Sequence, residues 1–226
     1  MQLDFNKVTT GQSLNFSKDF GDKITGKVSF NLNWGMIGGR PVDLDSIVVM
    51  ESRGGIQSIH QRIPKPLTFW QKVARALGFK INQTYDILSS GSTDTSTKTV
   101  YFGNLTEQGV YHHGDDRTGA WSEGEFIEID LDNLDPNVDT LTFTVLSFSG
   151  HDFYSLPFAE MKVFTGSPNR PMKGLVHHNL TQFKRGTRTV VLAQMKKVNG
   201  EWIITAMNKQ VSDGSVSAST RLAKSI

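Results

Sequence analysis

The chain has 226 residues, of which 37% are hydrophobic and 20% charged, and it contains no Cys. A chain of this length can bury about 70% of the surface that its unfolded form exposes, so it needs neither disulfides nor zinc to have a core. The composition excludes an intrinsically disordered chain, and the missing Cys excludes disulfide frameworks, thiolate zinc sites and cysteine nucleophiles. No apolar run has the length of a membrane span, and no apolar leader opens the sequence. We therefore expect a cytoplasmic protein or, as the alternative, a component of a virion.

The formal net charge of +2 hides a strong segregation of charge along the chain. Residues 101–160 carry one basic and twelve acidic side chains, whereas residues 161–226 carry eleven basic and two acidic ones. A stretch this acidic repels itself inside a folded domain unless something neutralises it. The neutralising partner is either the basic last third, together with solvent and salt, or bound cations such as calcium, which takes oxygen ligands from clustered Asp and Glu.

Short strands open the chain, and the clearest of them is 27–34, where polar and apolar residues alternate. A glycine-rich turn over 35–41 follows it. The next strand, 42–50, begins with Asp43 and Asp45, which project to the same face of an extended segment. Two carboxylates at the mouth of a strand are either solvated or ligands of a cation.

Residues 52–98 interrupt the strand pattern and predict an insertion. Within it, 67–79 has the apolar spacing of an amphipathic helix, with Thr68 and Gly78 as its caps. This helix packs either on its own domain or on a partner. Residues 64–80 are therefore a candidate contact with a second copy of the chain or with other assembly proteins.

Strand patterns return after the insertion, and the alternation is strict over 125–131 and 140–146. The strongest hairpin signal is Asn199-Gly200, which separates two apolar strands. Residues 211–226 are small and polar, and they predict a flexible tail or one that a partner orders.

Many strands, frequent turns and one helix indicate an all-β fold. We expect a β-sandwich of two mostly antiparallel sheets with one inserted helix. The simplest organisation is a single domain over residues 1–210 with the insertion at about 52–98, followed by the tail.

The connection 111–125 has the most distinctive chemistry in the chain. It contains Asp115, Asp116, Glu123 and Glu125, a threonine hydroxyl and three glycines. Glycines let the backbone fold tightly so that carbonyl oxygens can turn inward, and carboxylates supply charge for a hard cation. The acidic residues do not have the spacing of an EF-hand, so the loop indicates a metal site of another type.

Four segments of the chain follow one another in a characteristic order. They are Asn33-Trp34-Gly35 with Val42-Asp43-Leu44-Asp45-Ser46, then Val100-Tyr101-Phe102-Gly103-Asn104-Leu105, then His113-Gly114-Asp115-Asp116-Arg117-Thr118-Gly119, and last Gly200-Glu201-Trp202-Ile203. These segments resemble the signature motifs of the TerD family of tellurium-resistance proteins, and the resemblance covers most of residues 1–50 and 100–208. It implies a calcium-binding β-sandwich whose metal sites lie in loops at one end, and it implies no established catalytic reaction.

The resemblance also implies which residues hold the calcium. They are acidic residues of the first motif and of the glycine-rich loop, with one hydroxyl and one amide: Asp43, Asp45, Asn104, Asp115, Asp116, Thr118, Glu123 and Glu125. We expect five of the six carboxylates, all but that of Glu123, to converge near one point. The acidic part of the loop is shorter than in the family, and the insertion and the basic tail are foreign to its short members.

Other functions have weaker support in the sequence. A metal hydrolase is disfavoured because adjacent histidines, such as His112-His113 and His177-His178, point to opposite faces of a strand and seldom supply two ligands to one metal. No nucleophile elbow, phosphate loop or dinucleotide fingerprint is present. Nucleic-acid binding through the basic residues around Gly186 is also disfavoured, because such residues more often form a solvated turn or neutralise an acidic segment.

The sequence therefore predicts a non-enzymatic, calcium-binding protein of the TerD type associated with tellurite or stress resistance. The alternative is a structural protein of a phage or other mobile element, used in a virion or its assembly and built on the same domain. The inserted helix, the tail and the shortened acidic loop favour that alternative.

Overall fold

A computed structural model describes residues 24–52, 97–120 and 123–226, together with the backbone of four short strands outside these ranges. The strands in chain order are β1 (Leu3–Asp4), β2 (Ser13–Asn15), β3 (Lys27–Trp34), β4 (Leu44–Ser52), β5 (Gln61–Pro64), β6 (Tyr85–Leu88), β7 (Thr97–Val100), β8 (Thr106–Glu107), β9 (Val110–His112), β10 (Glu125–Asp130), β11 (Val138–Ser147), β12 (Ala159–Ser167), β13 (Arg170–Asn179), β14 (Thr189–Val198) and β15 (Glu201–Val211). The described helices are two short 3-10 helices, Phe153–Ser155 and Leu180–Gln182, and one α-helix, α1 (Val216–Lys224).

The strands form two large sheets that face each other. The first sheet has the order β1-β13-β12-β3-β10-β9-β8, and the second has the order β2-β15-β14-β11-β4-β7. The pairing of β1 with β13 is parallel, and the other pairings in the two sheets are antiparallel. The predicted β-sandwich of two mostly antiparallel sheets is therefore confirmed. Among the described residues, no helix is both long enough and apolar enough to cross a membrane.

The core lies between the two sheets because alternate residues of the central strands are apolar and point inward. In β3 these residues include Val28, Phe30 and Leu32, and in β11 they include Leu141 and Phe143. The rings of Phe30 and Phe143 meet edge to face with their centroids 5.4 Å apart. The two sheets are thus in direct contact through their aromatic residues.

The predicted hairpin at Asn199-Gly200 is present and joins β14 to β15. Both turn residues have positive φ angles, 51° and 82°, as a tight two-residue turn between twisted strands requires. The sequence does not predict β13, because this strand opens with Arg170-Pro171 and contains Gly174, which are unfavourable in strands. The predicted inserted helix over 67–79 lies outside the described residues.

The C-terminal segment differs from the flexible or partner-ordered tail that the sequence predicts. Strand β15 extends to Val211, and α1 begins a few residues later. The Oγ of Ser215 accepts a hydrogen bond from the backbone N–H of Ala218 at 3.1 Å, which caps the helix. The side of α1 that packs on the protein consists largely of small residues. The sequence therefore lacks the strong apolar stripe from which an amphipathic helix is predicted.

Helix α1 covers an apolar patch on the outer face of the second sheet. Val216 and Ala223 pack against Ile47, Val49 and Leu146, which point away from the main core. Without this helix, the three aliphatic side chains would lose their covering. The C-terminal segment therefore belongs to the folded domain.

The connections that matter for the functional residues lie at one end of the sandwich, which we call the loop end. Strands β3, β7, β9, β11 and β13 finish there, and β4, β10, β12 and β14 begin there. The described connections at the loop end are 35–43, 101–105, 113–120, 148–158 and 180–188.

Replacement of Ala223 by Asp is expected to destabilise the fold, because Ala223 is 1% exposed and packs on aliphatic side chains. An uncompensated buried polar group costs about 1–3 kcal/mol, so the urea midpoint should fall measurably. The matched control is Ser217→Asp, which is exposed on the first turn of the same helix and should change the stability by less than about 0.5 kcal/mol. Equal midpoints for the two variants would contradict the packing of α1.

Candidate metal centre

Three aspartates from two separate segments meet at the loop end. Asp43 immediately precedes β4, Asp45 is the second residue of β4, and Asp115 lies in the connection between β9 and β10. One carboxylate oxygen from each lies within 4.8 Å of the others. Asp43 and Asp45 reach this cluster together because residues two apart in an extended segment project to the same side. We call these three residues the aspartate triad.

Each member of the aspartate triad has a carboxylate oxygen without a hydrogen-bond partner among the described residues. These buried atoms are Oδ1 of Asp43, Oδ2 of Asp45 and Oδ1 of Asp115. Asp45 is only 2% exposed, so water does not replace the missing partners by surrounding the side chain. Buried polar atoms are nearly always paired, which makes three orphaned oxygens in one cluster a sign that a cation or protons bind there.

Burial and mutual repulsion raise the pKa values in the triad. Burial is the main reason why the pKa of Asp45 rises to about 8, and the negative charges of Glu125, Asp43 and Asp115 add to the effect. The pKa of Asp43 is also raised, by burial first and then by Asp115, although the guanidinium of Arg117 opposes the change. Both shifts favour the protonated forms of Asp43 and Asp45 in the ion-free cluster.

The position of Asp43 is fixed by backbone hydrogen bonds on both sides. Its N–H donates to Oγ of Ser149 at 3.1 Å, and its carbonyl accepts from the N–H of Phe148 at 3.0 Å. The preceding residue, Val42, donates its N–H to the carbonyl of Thr118 and accepts from Nε1 of Trp34 at 2.8 Å. These bonds join the connection before β4 to the connections that carry Asp115 and Phe148.

Gly119 is required beside Trp34. Its φ angle is +69°, and a Cβ atom at this position would lie 2.6 Å from Nε1 of Trp34. A side chain would therefore both strain the backbone and displace the indole that holds Val42.

Asp116 and Thr118 organise the loop that presents Asp115. Oδ1 of Asp116 accepts hydrogen bonds from the N–H and Oγ1 of Thr118 at 2.9 and 2.6 Å, and from the N–H of Gly119 at 3.2 Å. These bonds close a tight turn after Asp116. The side chain of Asp116 is thus engaged in the loop itself and is not a member of the triad.

Glu125 is buried near the triad and connects two neighbouring backbone segments through hydrogen bonds. Its Oε2 accepts from the N–H and Oγ of Ser46 at 3.1 and 2.9 Å, and its Oε1 accepts from the N–H of Asp116 at 3.1 Å. Nε2 of His112 lies 3.7 Å from Oε2. Nδ1 of His112 accepts from the N–H of Gly114, so Nε2 carries the ring proton and can donate it to Oγ of Ser46, which lies 3.3 Å away.

The two remaining predicted ligands also lie outside the triad. Asn104 donates its side-chain N–H groups to the carbonyl of Thr99 at 2.9 Å and to Oε1 of Glu107 at 3.0 Å. Glu123 is exposed, and its backbone carbonyl accepts from Asn31 at 2.7 Å. The structure thus brings together three of the eight predicted residues, while Asp116, Thr118, Glu125 and Asn104 hold the surrounding backbone.

The triad forms the polar wall of a cavity of about 320 Å³. Its other walls are Phe102, Phe148 and Arg117. The two phenylalanine rings meet edge to face with centroids 5.7 Å apart, and Nε of Arg117 lies 3.9 Å from Oδ2 of Asp43. The sequence did not identify either phenylalanine as part of the site, because only the fold brings the ends of β7 and β11 beside Asp45.

The fold and the site together define a β-sandwich protein with a cluster of carboxylates suited to a cation at one end. The TerD domain family matches residues 76–219, which is more than half of the sequence. The chain therefore belongs to the TerD family, as its motifs indicated. Asp43 and Asp45 precede the matched segment, and the structure places them beside Asp115, which lies inside it.

Individual relatives agree with this assignment. The chain is 33% identical over 120 residues to tellurium resistance protein TerZ of Serratia marcescens, covering 51% of the chain and 59% of the relative. It is 29% identical over 134 residues to stress response protein SCP2 of Bacillus subtilis strain 168, covering 56% of the chain and 66% of the relative. The chain thus spans less than two thirds of the length of either relative.

Solved structures with low sequence identity have the same fold. A homologue of a telluride resistance protein (TerD) from Streptomyces coelicolor A3(2) has a TM-score of 0.60 and 16% identity, covering 88% of this chain and 98% of that one. A protein of unknown function has a TM-score of 0.61 and 12% identity, covering 88% of this chain and 97% of that one.

The ion-free protein is expected to lose stability as the pH rises from about 4 to 8. The folded-state pKa of Asp45, about 8, lies above the value near 3.9 of an unfolded aspartate, so the folded state holds the extra proton in this range. A single such group contributes a slope of up to about 1.4 kcal/mol per pH unit. Thermal melting in chelator-treated buffer should show this decline, and Asp45→Asn should flatten it.

The control for this experiment is Asp132→Asn, which removes an exposed carboxyl outside the triad. It should leave the pH slope of the wild type unchanged. A slope that is the same in Asp45→Asn and in the wild type would contradict a protonated Asp45.

Proposed function

We propose that the chain is a non-enzymatic TerD-family protein that binds calcium at the aspartate triad and acts in tellurite or stress resistance. The observation that carries the proposal is the set of three buried carboxylate oxygens, one from each aspartate, that lack hydrogen-bond partners among the described residues. No catalytic step is part of the proposal.

The donor set fits calcium. All the atoms that converge are carboxylate oxygens, which hard cations prefer. Calcium–oxygen distances are about 2.3–2.6 Å, so two oxygens on opposite sides of one ion stand about 4.6–5.2 Å apart. The triad oxygens lie within 4.8 Å of one another, and three oxygens at that separation stand about 2.8 Å from their common centre, so small side-chain rotations would bring all three to calcium–oxygen distance.

The surroundings of the triad also favour a bound ion. Asp43 and Asp115 are half-buried and Asp45 is buried, so the ion would be held against the protein and would keep one open side toward the cavity. Calcium takes six to eight oxygen ligands. The remaining positions are available to water or to an oxygen of another molecule.

The resistance role comes from the relatives. One is named a tellurium resistance protein and another a stress response protein. Because the chain spans only part of each, we carry over their general role and not a specific partner or reaction.

Calcium is expected to raise the thermal stability of the wild type. An ion that binds only the folded state adds about 2.7 kcal/mol at a hundredfold excess over its dissociation constant, or about 5–10 °C for a domain of this size. Asp115→Asn should abolish the calcium shift without unfolding the protein, because it removes a charge but keeps the side-chain shape. The measurement is a melting curve in calcium and in excess chelator.

Glu123→Gln is the matched control, since Glu123 lies in the same loop but outside the triad. It should keep the full calcium shift. An unchanged midpoint for the wild type in calcium would refute the calcium site.

The biological part of the proposal has its own test. Expression of the wild type in a tellurite-sensitive bacterium should raise the tellurite concentration that permits growth, and Asp115→Asn should fail to do so at equal protein level. Growth protection by Asp115→Asn equal to that of the wild type would separate resistance from the triad.

The alternative, a virion or assembly protein, predicts a large ring or sheath in light scattering, whereas we expect a monomer or small oligomer. Contacts with other copies or assembly proteins through residues 64–80 stay a prediction, because residues 65–80 lie outside the described part.

A further inference from the structure

The loop end carries an unusual share of the exposed apolar side chains. Among the described residues, the large hydrophobic side chains that are exposed are Met36, Phe148, Tyr154, Phe158, Met172 and Val198. The first four belong to the connections 35–43 and 148–158 at the loop end, and they are between 40% and 54% exposed. The other two lie at the opposite end, at the β12–β13 and β14–β15 hairpins.

These four side chains come from two connections of the loop end, and each has its own surroundings. Phe158 lies beside Gly35, because the N–H of Gly35 donates to the carbonyl of Phe158 at 3.1 Å. Phe148 stands at the mouth of the cavity that contains the triad. Tyr154 has the guanidinium of Arg185 over its ring at 4.7 Å. Spaced aromatic residues of this kind suit insertion into a soft interface better than they suit a groove for one small molecule.

Basic side chains accompany the apolar ones at the loop end. Arg40, Arg117, Lys184 and Arg185 are exposed there. Without an ion, the carboxylates of the triad oppose any anionic surface. A bound calcium ion would offset two of the three negative charges, and its open side would face the cavity wall formed by Arg117, Phe102 and Phe148. The loop end would then present a cation, guanidinium groups and aromatic rings together.

We propose that the calcium-loaded loop end binds a membrane surface that contains anionic phospholipid. A headgroup phosphate or carboxylate oxygen completes the coordination of the ion and contacts Arg117, while the exposed aromatic side chains enter the boundary between headgroups and acyl chains. The proposal rests on the calcium site proposed above. It requires no membrane-spanning segment, because the protein lies on the surface.

The test is sedimentation of the full chain with vesicles of phosphatidylcholine and phosphatidylserine, in calcium and in excess chelator. We expect the protein to sediment with these vesicles in calcium and to stay in the supernatant in chelator. Vesicles of phosphatidylcholine alone should bind at least about tenfold less, because they lack the net negative charge. Equal binding to both kinds of vesicle would overturn the role of the anionic headgroup.

Two variants locate the membrane-binding surface. Tyr154→Ala combined with Phe158→Ala removes aromatic rings at the loop end and should lower the apparent affinity for the vesicles at least about tenfold. Met172→Ala is the matched control, because Met172 is 79% exposed at the opposite end, and its affinity should equal that of the wild type. Equal binding by the aromatic double variant and the control would overturn the assignment of the surface. Melting curves of both variants without vesicles establish that each is folded and still responds to calcium.

The melting curves also distinguish this inference from the calcium proposal. A calcium shift in the wild type without sedimentation in calcium would overturn the membrane inference and leave the calcium site standing. No calcium shift at all would refute both.

Soluble glycerophosphoserine separates the two sources of the anion, a membrane headgroup and a free phosphodiester. We expect it to compete with vesicles only weakly, since it lacks acyl chains. Full displacement of the protein from vesicles at a low excess of this compound would identify the ligand as a free phosphodiester and overturn the membrane surface.

Discussion

The aspartate triad is the electrostatic constraint around which the loop end is built. Two unit charges 4.8 Å apart repel each other by about 3.5 kcal/mol at an effective dielectric constant near 20. Three carboxylates within that distance therefore need protons or a cation, and burial of Asp45 increases the need. The fold nevertheless holds them together through backbone bonds that do not involve their carboxylate oxygens. The cluster is thus prearranged at a cost in stability, which is the usual sign of a binding site.

The acidic residues of the loop end divide into two groups according to the hydrogen bonds that they receive. Asp116 and Glu125 each accept several bonds from backbone N–H groups and hydroxyls, so their charge is stabilised locally. The triad members lack such donors on at least one oxygen each among the described residues. The first group gives the loop its shape, and the second has coordination capacity left over. This division explains how a loop with few acidic residues can still support one cation.

The sequence predicted the sandwich, its main hairpin and the three aspartates as candidate ligands. It did not predict which of the neighbouring acidic residues would instead hold the loop backbone. Periodicity determines which face of a strand is buried, so β3, β10 and the β14–β15 hairpin could be predicted from the alternation alone. Asp115 and Asp116 are adjacent and chemically identical, and only the turn after Asp116 decides which of them faces the cluster. Helix α1 gave little signal because its packing surface consists of small residues that become a core only against Ile47 and Val49. The choice between Asp115 and Asp116 and the packing of α1 both depend on tertiary contacts, which a local sequence pattern does not contain.

The location of the triad decides what kind of cation site it could form. An ion that only stabilises a fold is normally enclosed by protein ligands on all sides, as in closed structural metal sites. Here the three carboxylates line a cavity whose other walls are two aromatic rings and an arginine. An ion in this position would stabilise the connections that supply its ligands and would also keep coordination positions for an outside oxygen. In the proposed function, the same charge would close the loops and expose a binding group, which would couple the order of the loop end to the recognition of an anion.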